Sequence, residues 1–482
     1  MSVVVASCSL EDLFSGKSIP WNKDSLIDGK LHLPEYQRPY CWDEEQLKRL
    51  LNDLRNYFHP EPGEKKIEHL FFLGSIILHQ EEKDGEKLLN IIDGQQRITT
   101  MGLLAYCLNK QSGNHLPVPD IKYSAPSAQQ RIALNFGWVN DYLDGNKQII
   151  IDFSKINVVL VVTQSVDHAY RYFETQNTGG VRLEGHQIIK AHHLRAITDK
   201  QKQNDFARLW WEMGSLKYLV DLLMKGRYWN RLKLKELPSS NRERVKYLNH
   251  IVKELAEDTS SHSDDDIGYG VLAKRYESDK KLLDYQQHGY AMRQPLNAGV
   301  NSIHYINYFH GLYQRLFVYP AEHSLQNFRV DYENLVKKSG GSDHLKRFFE
   351  CSVLLFASQF GVSRLHEAGL WLFRVCYSPR LSNQLRVTER SPYTFVRDNY
   401  AVFDFIYSSH NAEECLNYLK DFSYEFNKEN IMTGGVKSSF VKHIYKVLGA
   451  ELSDTVEKIS VEYDEKFKEW IKDRVKLLEE QS

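Results

Sequence analysis

The spacing of apolar residues changes near Leu194, and this change constrains the fold more than any other feature of the chain. Before it, short apolar runs typical of strands alternate with helical patterns. After it, apolar residues recur at helical spacing in WWEMGSLKYLVDLLM, RVKYLNHIVKELA, HYINYFHGLYQRLF, HLKRFFECSVLLFASQF and AEECLNYLKDFSYEF. We therefore predict an α+β N-terminal domain over residues 1–195, followed by a mainly α-helical C-terminal domain over 196–482 that consists of one or two helical modules.

The first two hundred residues contain recognisable strands and helices. Asp43 is a good N-cap for an amphipathic helix in EEQLKRLLNDLRNYF, and ITTMGLLAYCLNK predicts a second helix from near Ile98. Strands are predicted in FFLGSIILHQE, KLLNIID and INVVLVVTQ. Pro34 and Pro39 exclude a helix interior from LHLPEYQRPYCW, which is an edge strand or an ordered loop.

Charge and cysteine usage exclude several classes of protein. Among the 482 residues, 62 Lys and Arg balance 63 Asp and Glu, so the chain is not a polycation that binds nucleic acid indiscriminately. The six cysteines form no CxxC pair, and no apolar run is long enough to cross a membrane. The N-terminal segment also lacks the pattern of a signal peptide. We expect a soluble cytoplasmic protein with no membrane partner.

The segment Asp93-Gly94-Gln95-Gln96-Arg97-Ile98-Thr99-Thr100 lies between a predicted strand and a predicted helix. Such a turn exposes backbone N–H groups at the positive end of the helix dipole, which suits a phosphate. Gly94 allows close approach of a ligand, and Arg97 offers a fork of donors to phosphate oxygens. Asp93 could hold a hydrated Mg²⁺ or orient water. Alternatively, Asp93 and Thr99 only cap the helix and Arg97 is a surface charge.

Two further clusters resemble binding loops. Tyr36 to Trp42 combines a cation, an amide and three aromatic rings next to a helix N-terminus, although a hydrophobic staple with one exposed arginine would have the same sequence. Tyr172 to Leu183 follows a predicted strand, and its Asn177 and Gly179-Gly180 indicate a turn. Asn177 or Arg182 could reach a ligand there, or the loop is shaped only by its turn residues.

These segments together resemble the GmrS-type ParB-like domain of GmrSD modification-dependent restriction systems. That family carries Y-Q-R-x-Y-x-W, F-x-L-G-[ST]-I, D-G-Q-Q-R-[LI]-T-[TS] and F-x-x-x-N-x-x-G-x-x-L in this order. Here the motifs are Tyr36 to Trp42, Phe71 to Ile76, Asp93 to Thr100 and Phe173 to Leu183. The resemblance covers about residues 10 to 200. It implies a ParB/sulfiredoxin-like fold, binding and hydrolysis of a nucleoside triphosphate, and a role in defence against foreign or modified DNA.

Residue by residue, the resemblance implies one nucleotide site. Its implied catalytic residues are Asp93, Gln95, Gln96 and Arg97, with Asp93 linked to Mg²⁺ or another divalent cation. Its implied nucleotide-binding residues are Gln37, Arg38, Gly94, Arg97, Thr99 and Asn177.

Many relatives also carry a C-terminal nuclease domain with a His-x-x-Pro motif, but no histidine of the helical half stands in that context. Nuclease activity of this chain alone is therefore not expected. A separately encoded nuclease or a second GmrS-type subunit is the implied partner.

A basic stretch from Met224 to Leu248 could bring DNA to the helical part, because its cations and aromatic rings suit phosphates and bases. A solvated charged surface is the alternative. The candidate DNA contacts are Arg227, Arg231, Lys233, Lys235, Arg242 and Arg244.

The last helix, DTVEKISVEYDEKFKEWIKDRVKLLEE, has an aromatic stripe that packs on its own domain or on a partner.

The main functional hypothesis is a nucleoside triphosphatase that acts as the sensor or regulator of a bacterial DNA-targeting, anti-phage defence system. The alternative is a nucleotide-gated DNA-binding or protein-interaction switch that does not hydrolyse its ligand, with nuclease activity in a partner.

Overall fold

The structure is a computed structural model of the 482-residue chain. It describes residues 3–22, 25–60, 69–83, 85–112, 115–145, 150–165, 169, 185–229, 250–260, 266–268, 272–277, 280–285, 289–340, 342–382 and 387–479. The chain divides into two compact units. Unit 1 contains residues 1–183 and 200–211, and unit 2 contains residues 184–199 and 212–482.

Unit 1 is an α+β structure. Its strands are β1 (Val4–Ser9), β2 (Ile19–Asn22), β3 (Ser25–Ile27), β4 (Lys30–His32), β5 (Phe71–Lys83), β6 (Glu86–Asp93) and β7 (Ile156–Thr163). Its helices are α1 (Leu10–Phe14), α2 (Glu44–Phe58), α3 (Gln95–Ser112) and α4 (Pro126–Asp144), with a 3-10 turn at Phe153–Lys155. A later segment adds most of the helix Lys200–Glu212.

Five of these strands form one mixed sheet in the order β1-β7-β5-β6-β4. Strand β5 runs antiparallel to β6 and parallel to β7, so the hairpin β5–β6 occupies the centre of the sheet. Gly85, at φ +79, supplies the left-handed backbone that the tight hairpin turn requires. The long hairpin brings Asp93, at the end of β6, to the start of α3.

The two faces of this sheet differ. The first face carries alternate residues such as Ile76, Leu78, Ile91 and Leu160, which join the main core with α2, α3 and α4. The second face carries a small apolar cluster of Ile77, Ile92, Val161 and Ala169, against which Val3 and Tyr36 pack. Only the first face therefore provides the main core, and the second face is lined by a smaller set of residues.

The predicted strands and helices of the first two hundred residues are largely confirmed. Helix α2 begins after Asp43, whose carboxylate accepts from the backbone of Glu45 and Gln46 while the Gln46 side chain accepts from the Asp43 N–H, a complete capping box. Helix α3 begins at Gln95 and not near Ile98, so the motif glutamines lie inside its first turn. Residues 33–43 form a loop.

Unit 2 is mainly helical, as predicted. Its helices are α5 (Gly185–Ala196), the end of α6 (Lys200–Glu212), α7 (Lys217–Tyr228), α8 (Val300–Tyr313), α9 (Gln326–Asp331), α10 (Asp343–Phe360), α11 (Leu365–Ser382), α12 (Arg390–Thr394), α13 (Val402–Ser408), α14 (Ala412–Asp421), α15 (Val436–Leu448) and α16 (Val456–Glu479). π-Helical turns occupy Lys253–Glu257, Gln314–Val318, Tyr332–Lys337 and Phe395–Asn399, and a 3-10 turn occupies His323–Leu325. One hairpin, β8 (Leu272–Glu277) and β9 (Lys280–Tyr285), was not predicted.

Helices α10 and α11 form the centre of unit 2. Long runs of both are buried, from Phe348 to Ala357 on α10 and from Ala368 to Leu381 on α11. The aromatic stripe of α16 packs within the same unit, because Phe467 lies 5.7 Å from the ring of Phe373. In the part of the chain that the structure describes, no helix combines the length and the apolar character needed to span a membrane.

Candidate functional site

The motif Asp93 to Thr100 joins the end of β6 to the first turn of α3. Gly94 adopts φ +93, and a Cβ atom there would lie 3.1 Å from Cγ1 of Ile76, so the turn needs a glycine. Asp93 is in register with Ile77 of β5. A register shift between Ile77 and Leu78 interrupts the pairing, so that Asp93 and its neighbour Ile92, a member of the second-face cluster, both lie opposite Ile77.

Arg97 fixes the neighbouring strand. Its Nη1 donates to the carbonyl of Leu73 at 3.1 Å, and its Nη2 donates to the carbonyl of Ser75 at 2.8 Å. Between them, Gly74 adopts φ +122, and a Cβ atom there would lie 1.9 Å from Nη1 of Arg97. Two of the recognised motifs, F-x-L-G-[ST]-I and D-G-Q-Q-R, are therefore parts of one contact.

Gln96 fixes the loop of residues 36–42. Its Oε1 accepts from the backbone N–H of Cys41 at 2.9 Å, and its Nε2 donates to the carbonyl of Pro39 at 3.0 Å. The side chain is 4% exposed. A single amide thus satisfies a donor and an acceptor of the loop, and it holds the first motif against the first turn of α3.

Hydroxyl groups continue this network. The Tyr40 hydroxyl lies 2.8 Å from Oγ1 of Thr100, and Asn135 of α4 donates to the same Tyr40 hydroxyl at 3.1 Å and to the carbonyl of Trp42 at 2.8 Å. Thr99 lies 2.7 Å from the Tyr123 hydroxyl. The sequence pattern gave no signal for Asn135 or Tyr123, because their partners are distant along the chain.

Gln95, unlike Gln96, has a side-chain oxygen without a hydrogen-bond partner among the described residues. It is 4% exposed, yet its Oε1 atom has no hydrogen-bond partner among the described residues. Leaving a buried amide oxygen unpaired costs about 1–3 kcal/mol, so such atoms are rare in native structures. The first residue of α3 therefore carries an acceptor whose partner is not supplied by the described residues.

A row of polar residues crosses the second face of the sheet beside the apolar cluster; we call His32, Asn90, His79 and Thr163 the polar row. They are in register across β4, β6, β5 and β7. Nδ1 of His32 lies 2.7 Å from Oδ1 of Asn90, and Nδ2 of Asn90 lies 3.5 Å from Nδ1 of His79.

These distances fix the tautomer of His79. Because Asn90 donates to Nδ1 of His79, the proton of His79 is on Nε2, which lies 3.3 Å from the carbonyl of Gln164. Burial lowers the pKa of His79 below its ordinary value, which favours this neutral form. Both ring nitrogens of His79 are thus paired within the protein, and the sequence motifs do not include the polar row.

The structure brings most of the predicted site residues together and gives several of them structural partners. Gln96, Arg97 and Thr99 are engaged by the protein itself, as described above. Arg38 is half-buried and has no ion pair or hydrogen bond in the described ranges, and Gln37 lines a small cavity with Pro39 and Tyr123. Asn177 and the whole segment 173–183 lie outside the described residues.

The predicted DNA contacts need one correction. Arg227 is 6% exposed and its Nε donates to Glu254 at 2.8 Å, while its Nη1 donates to the carbonyls of Met292 and Gln294. Its guanidinium is therefore used inside unit 2 and is not presented to DNA. Arg231, Lys233, Lys235, Arg242 and Arg244 lie outside the described residues.

Carboxylates near the site are few. Asp93 is partly exposed and lies 3.6 Å from Nη2 of Arg97. No group of three metal-binding side chains occurs in the described part of the chain. A single carboxylate fits Mg²⁺, which proteins commonly hold through one or two carboxylates and the phosphates of a substrate.

Two family models match successive parts of the chain. Residues 10–194 match the family model of the GmrSD restriction endonuclease N-terminal domain, and residues 202–433 match DUF7834, a family of unknown function. No curated protein matches the chain significantly. The first match spans the motif loop, strands β2 to β7 and helices α1 to α4. Residues 10–194 are therefore similar to the N-terminal domain of a GmrSD restriction endonuclease.

Proposed function

We propose that this restriction-system component binds a nucleoside triphosphate at the second face of its sheet and hydrolyses it as the sensor of a DNA-targeting defence system. The observation that carries the proposal is the buried, unpartnered Oε1 of Gln95 at the first residue of α3, beside Asp93. A hydroxyl or amino group of a bound nucleotide would satisfy this acceptor. The resemblance further implies a ParB/sulfiredoxin-like fold, which is part of the same proposal.

The backbone supplies the phosphate contact. The first turn of α3 has N–H groups that no helical carbonyl can accept from, and these groups follow directly on Gly94. The half-buried Arg38 is free of other pairs in the described ranges and is the side-chain cation that we assign to the phosphates. Asp93 would hold Mg²⁺, which when bound neutralises charge on the terminal phosphoryl group.

Arg97 and Gln96 then have positioning roles. Arg97 holds the β5 backbone around Gly74, and Gln96 holds the loop that carries Arg38. Their loss would disturb the site without removing a group that touches the reacting atoms. Substitution of Asp93 or Gln95 is therefore a sharper test of hydrolysis than Arg97→Ala.

The test is phosphate release by the purified chain with each nucleoside triphosphate and Mg²⁺, in the presence and absence of DNA. We expect Asp93→Asn to lower the rate at least tenfold, because the carboxylate that would hold the metal is lost. Gln95→Ala should weaken nucleotide binding. Asp120→Asn, which alters an exposed carboxylate of the same unit, is the matched control. A wild-type rate equal to that of Asp93→Asn would refute the hydrolase.

The alternative is a switch that binds nucleotide without hydrolysis. It is favoured if wild type binds nucleotide with the Gln95 dependence expected above but releases no phosphate. In either case the nuclease would be a separately encoded protein or a second GmrS-type subunit, and the partners would meet in the cytoplasm. Metal-dependent nicking of plasmid DNA by the purified chain alone would contradict this assignment of the nuclease.

A further inference from the structure

Two buried cations of unit 2 lack a carboxylate partner. Arg380 on α11 is 7% exposed and has no hydrogen bond or ion pair in the described part of the unit. Lys437 on α15 is 8% exposed, and its Nζ donates only to the carbonyl and Oδ1 of Asn427, at 2.6 and 3.2 Å. A buried charge without a counter-charge is costly, so its presence requires a reason.

The other buried arginines of unit 2 differ from Arg380, because they have carboxylate partners. Each is held by a carboxylate: Arg227 by Glu254 at 2.8 Å, Arg293 by Asp404 at 2.6 Å and Arg374 by Asp464 at 2.7 Å. Arg380 alone among these four has no such partner in the described ranges. Arg380 therefore lacks the counter-charge that the other three buried arginines have.

Arg380 and Lys437 belong to one place in the fold. Asn427 connects them, because its N–H donates to the carbonyl of Leu381, next to Arg380, at 3.0 Å while its own carbonyl accepts from Lys437. One turn before Arg380, the ring of Tyr377 stacks on Phe440 of α15 at 5.7 Å and 6°. The C-terminal end of α11 thus lies against the first turns of α15.

The N-terminus of α15 is open. Gly434 and Gly435 adopt φ +90 and +91, and no side chain caps the helix. Ser438, in the first turn, is 1% exposed and its Oγ has no hydrogen-bond partner among the described residues. Residues 432–436 are exposed, so a ligand can approach the turn from solvent. Free N–H groups, a free hydroxyl and the helix dipole converge here.

Electrostatics agree with this geometry. Burial lowers the pKa of Lys437 to about 8; the exposed Glu429 opposes this shift, and the positive charge of Arg380 acts in the same direction as burial. Burial also lowers the pKa of Arg380. The positive charge at this turn is therefore incompletely neutralised by the protein.

We propose that Arg380, Lys437, Ser438 and the N-terminus of α15 form a binding site for a phosphate group. Phosphate suits the site because its oxygens accept from the guanidinium, the hydroxyl and the helix N–H groups at once, and its charge matches two cations. This site lies in unit 2 and is separate from the proposed nucleotide site of unit 1. The phosphate comes from a small molecule or from a nucleic-acid terminus.

The test uses the full chain and inorganic phosphate, with binding measured by calorimetry and by the thermal shift at fixed ionic strength. We expect Arg380→Gln and Lys437→Gln each to weaken phosphate binding at least tenfold, and Ser438→Ala to weaken it severalfold. Lys442→Gln, which alters an exposed lysine on the same helix, should leave it unchanged. Without phosphate, Arg380→Gln should melt no earlier than wild type, because a buried unpaired charge is removed.

The proposal is overturned if phosphate stabilises wild type and Arg380→Gln equally, or if wild type binds none. Binding must also persist in Asp93→Asn/Gln95→Ala, which separates this site from unit 1, and loss of all phosphate binding in that variant would refute it. Two further ligands identify the source. Tighter binding of a 5′-phosphorylated single-stranded oligonucleotide than of its unphosphorylated form, lost in Arg380→Gln, indicates a nucleic-acid terminus, and equal binding of both forms indicates a small molecule.

Discussion

The backbone of Gly74 lies directly against the guanidinium of Arg97, and substitution of either residue shows how much this contact contributes to stability. A Cβ atom at Gly74 would lie 1.9 Å from Nη1 of Arg97, and the backbone there has φ +122. We expect Gly74→Ala to lower the free energy of unfolding of unit 1 by about 1–3 kcal/mol, because the guanidinium must leave its two carbonyl partners. Urea unfolding measures the loss.

A glycine within helix α4 provides the control for Gly74→Ala. Gly137 lies within α4 with no atom near its missing Cβ, so Gly137→Ala should stabilise the protein by about 0.5–1 kcal/mol. If the clash with Arg97 is the cause, Gly74→Ala costs less in the Arg97→Ala background. An equal cost in both backgrounds would show that backbone strain alone explains it.

His193 provides a second residue-level prediction, on pH. It is fully buried; its Nε2 lies 2.7 Å from the carbonyl of Leu255, and its Nδ1 accepts from the N–H of Gly299. Burial lowers its pKa to about 3. Between pH 6.5 and about 3 the unfolded chain therefore binds a proton that the folded chain does not, and stability falls as the pH falls.

The contribution of His193 is at most about 1.4 kcal/mol per pH unit in that window. His193→Gln, although less stable at pH 7, should show a shallower loss of unfolding free energy on acidification to pH 4.5. The exposed His323→Gln is the control and should retain the wild-type slope. Identical slopes for all three proteins would contradict the buried neutral assignment.

At the scale of elements, one glutamine connects helix α3 to the loop of residues 36–42. Gln96→Ala leaves the Cys41 N–H and the Pro39 carbonyl without their partner, so the loop should loosen at a cost of about 1–3 kcal/mol. Hydrogen exchange at the Cys41 amide reports this directly. Gln96→Glu keeps an acceptor for Cys41 and should preserve more of the amide's protection than Gln96→Ala does.

Gln111→Ala is the matched control for this pair, since it removes an exposed amide from the far end of the same helix. It should leave exchange at Cys41 unchanged. If Cys41 exchanges equally fast in wild type and Gln96→Ala, the loop is held by the Tyr40, Thr100 and Asn135 hydrogen bonds and not by Gln96.

The helices and strands also show which parts of the fold can be predicted from the sequence. The capped helix α2 and the strands β5, β6 and β7 were predictable because their signals are local: an N-cap, apolar periodicity and β-branched runs. The motif pointed to the right turn, but it could not show that Gln96 and Arg97 serve the protein's own backbone. Those roles depend on partners more than twenty residues away, which no local pattern encodes.

At the scale of the whole molecule, local sequence patterns are least able to predict where one unit of the chain ends and the other begins. The sequence predicts a boundary between residues 195 and 196. The structure assigns residues 200–211 to unit 1, and within that unit Trp211 packs against the cluster of Tyr40, Ala125 and Ala128. Residues that follow the family match at 10–194 therefore contribute to the motif loop's packing.

This assignment predicts the behaviour of two fragments. Residues 1–211 should unfold at a higher urea concentration than residues 1–195, because the shorter fragment exposes the apolar cluster around Tyr40 that Trp211 covers. Trp211→Ala in the longer fragment should lose about 1–3 kcal/mol of this advantage. Equal urea midpoints for both fragments would show that the helix Lys200–Glu212 adds no stability to unit 1. The boundary of unit 1 would then lie before residue 196.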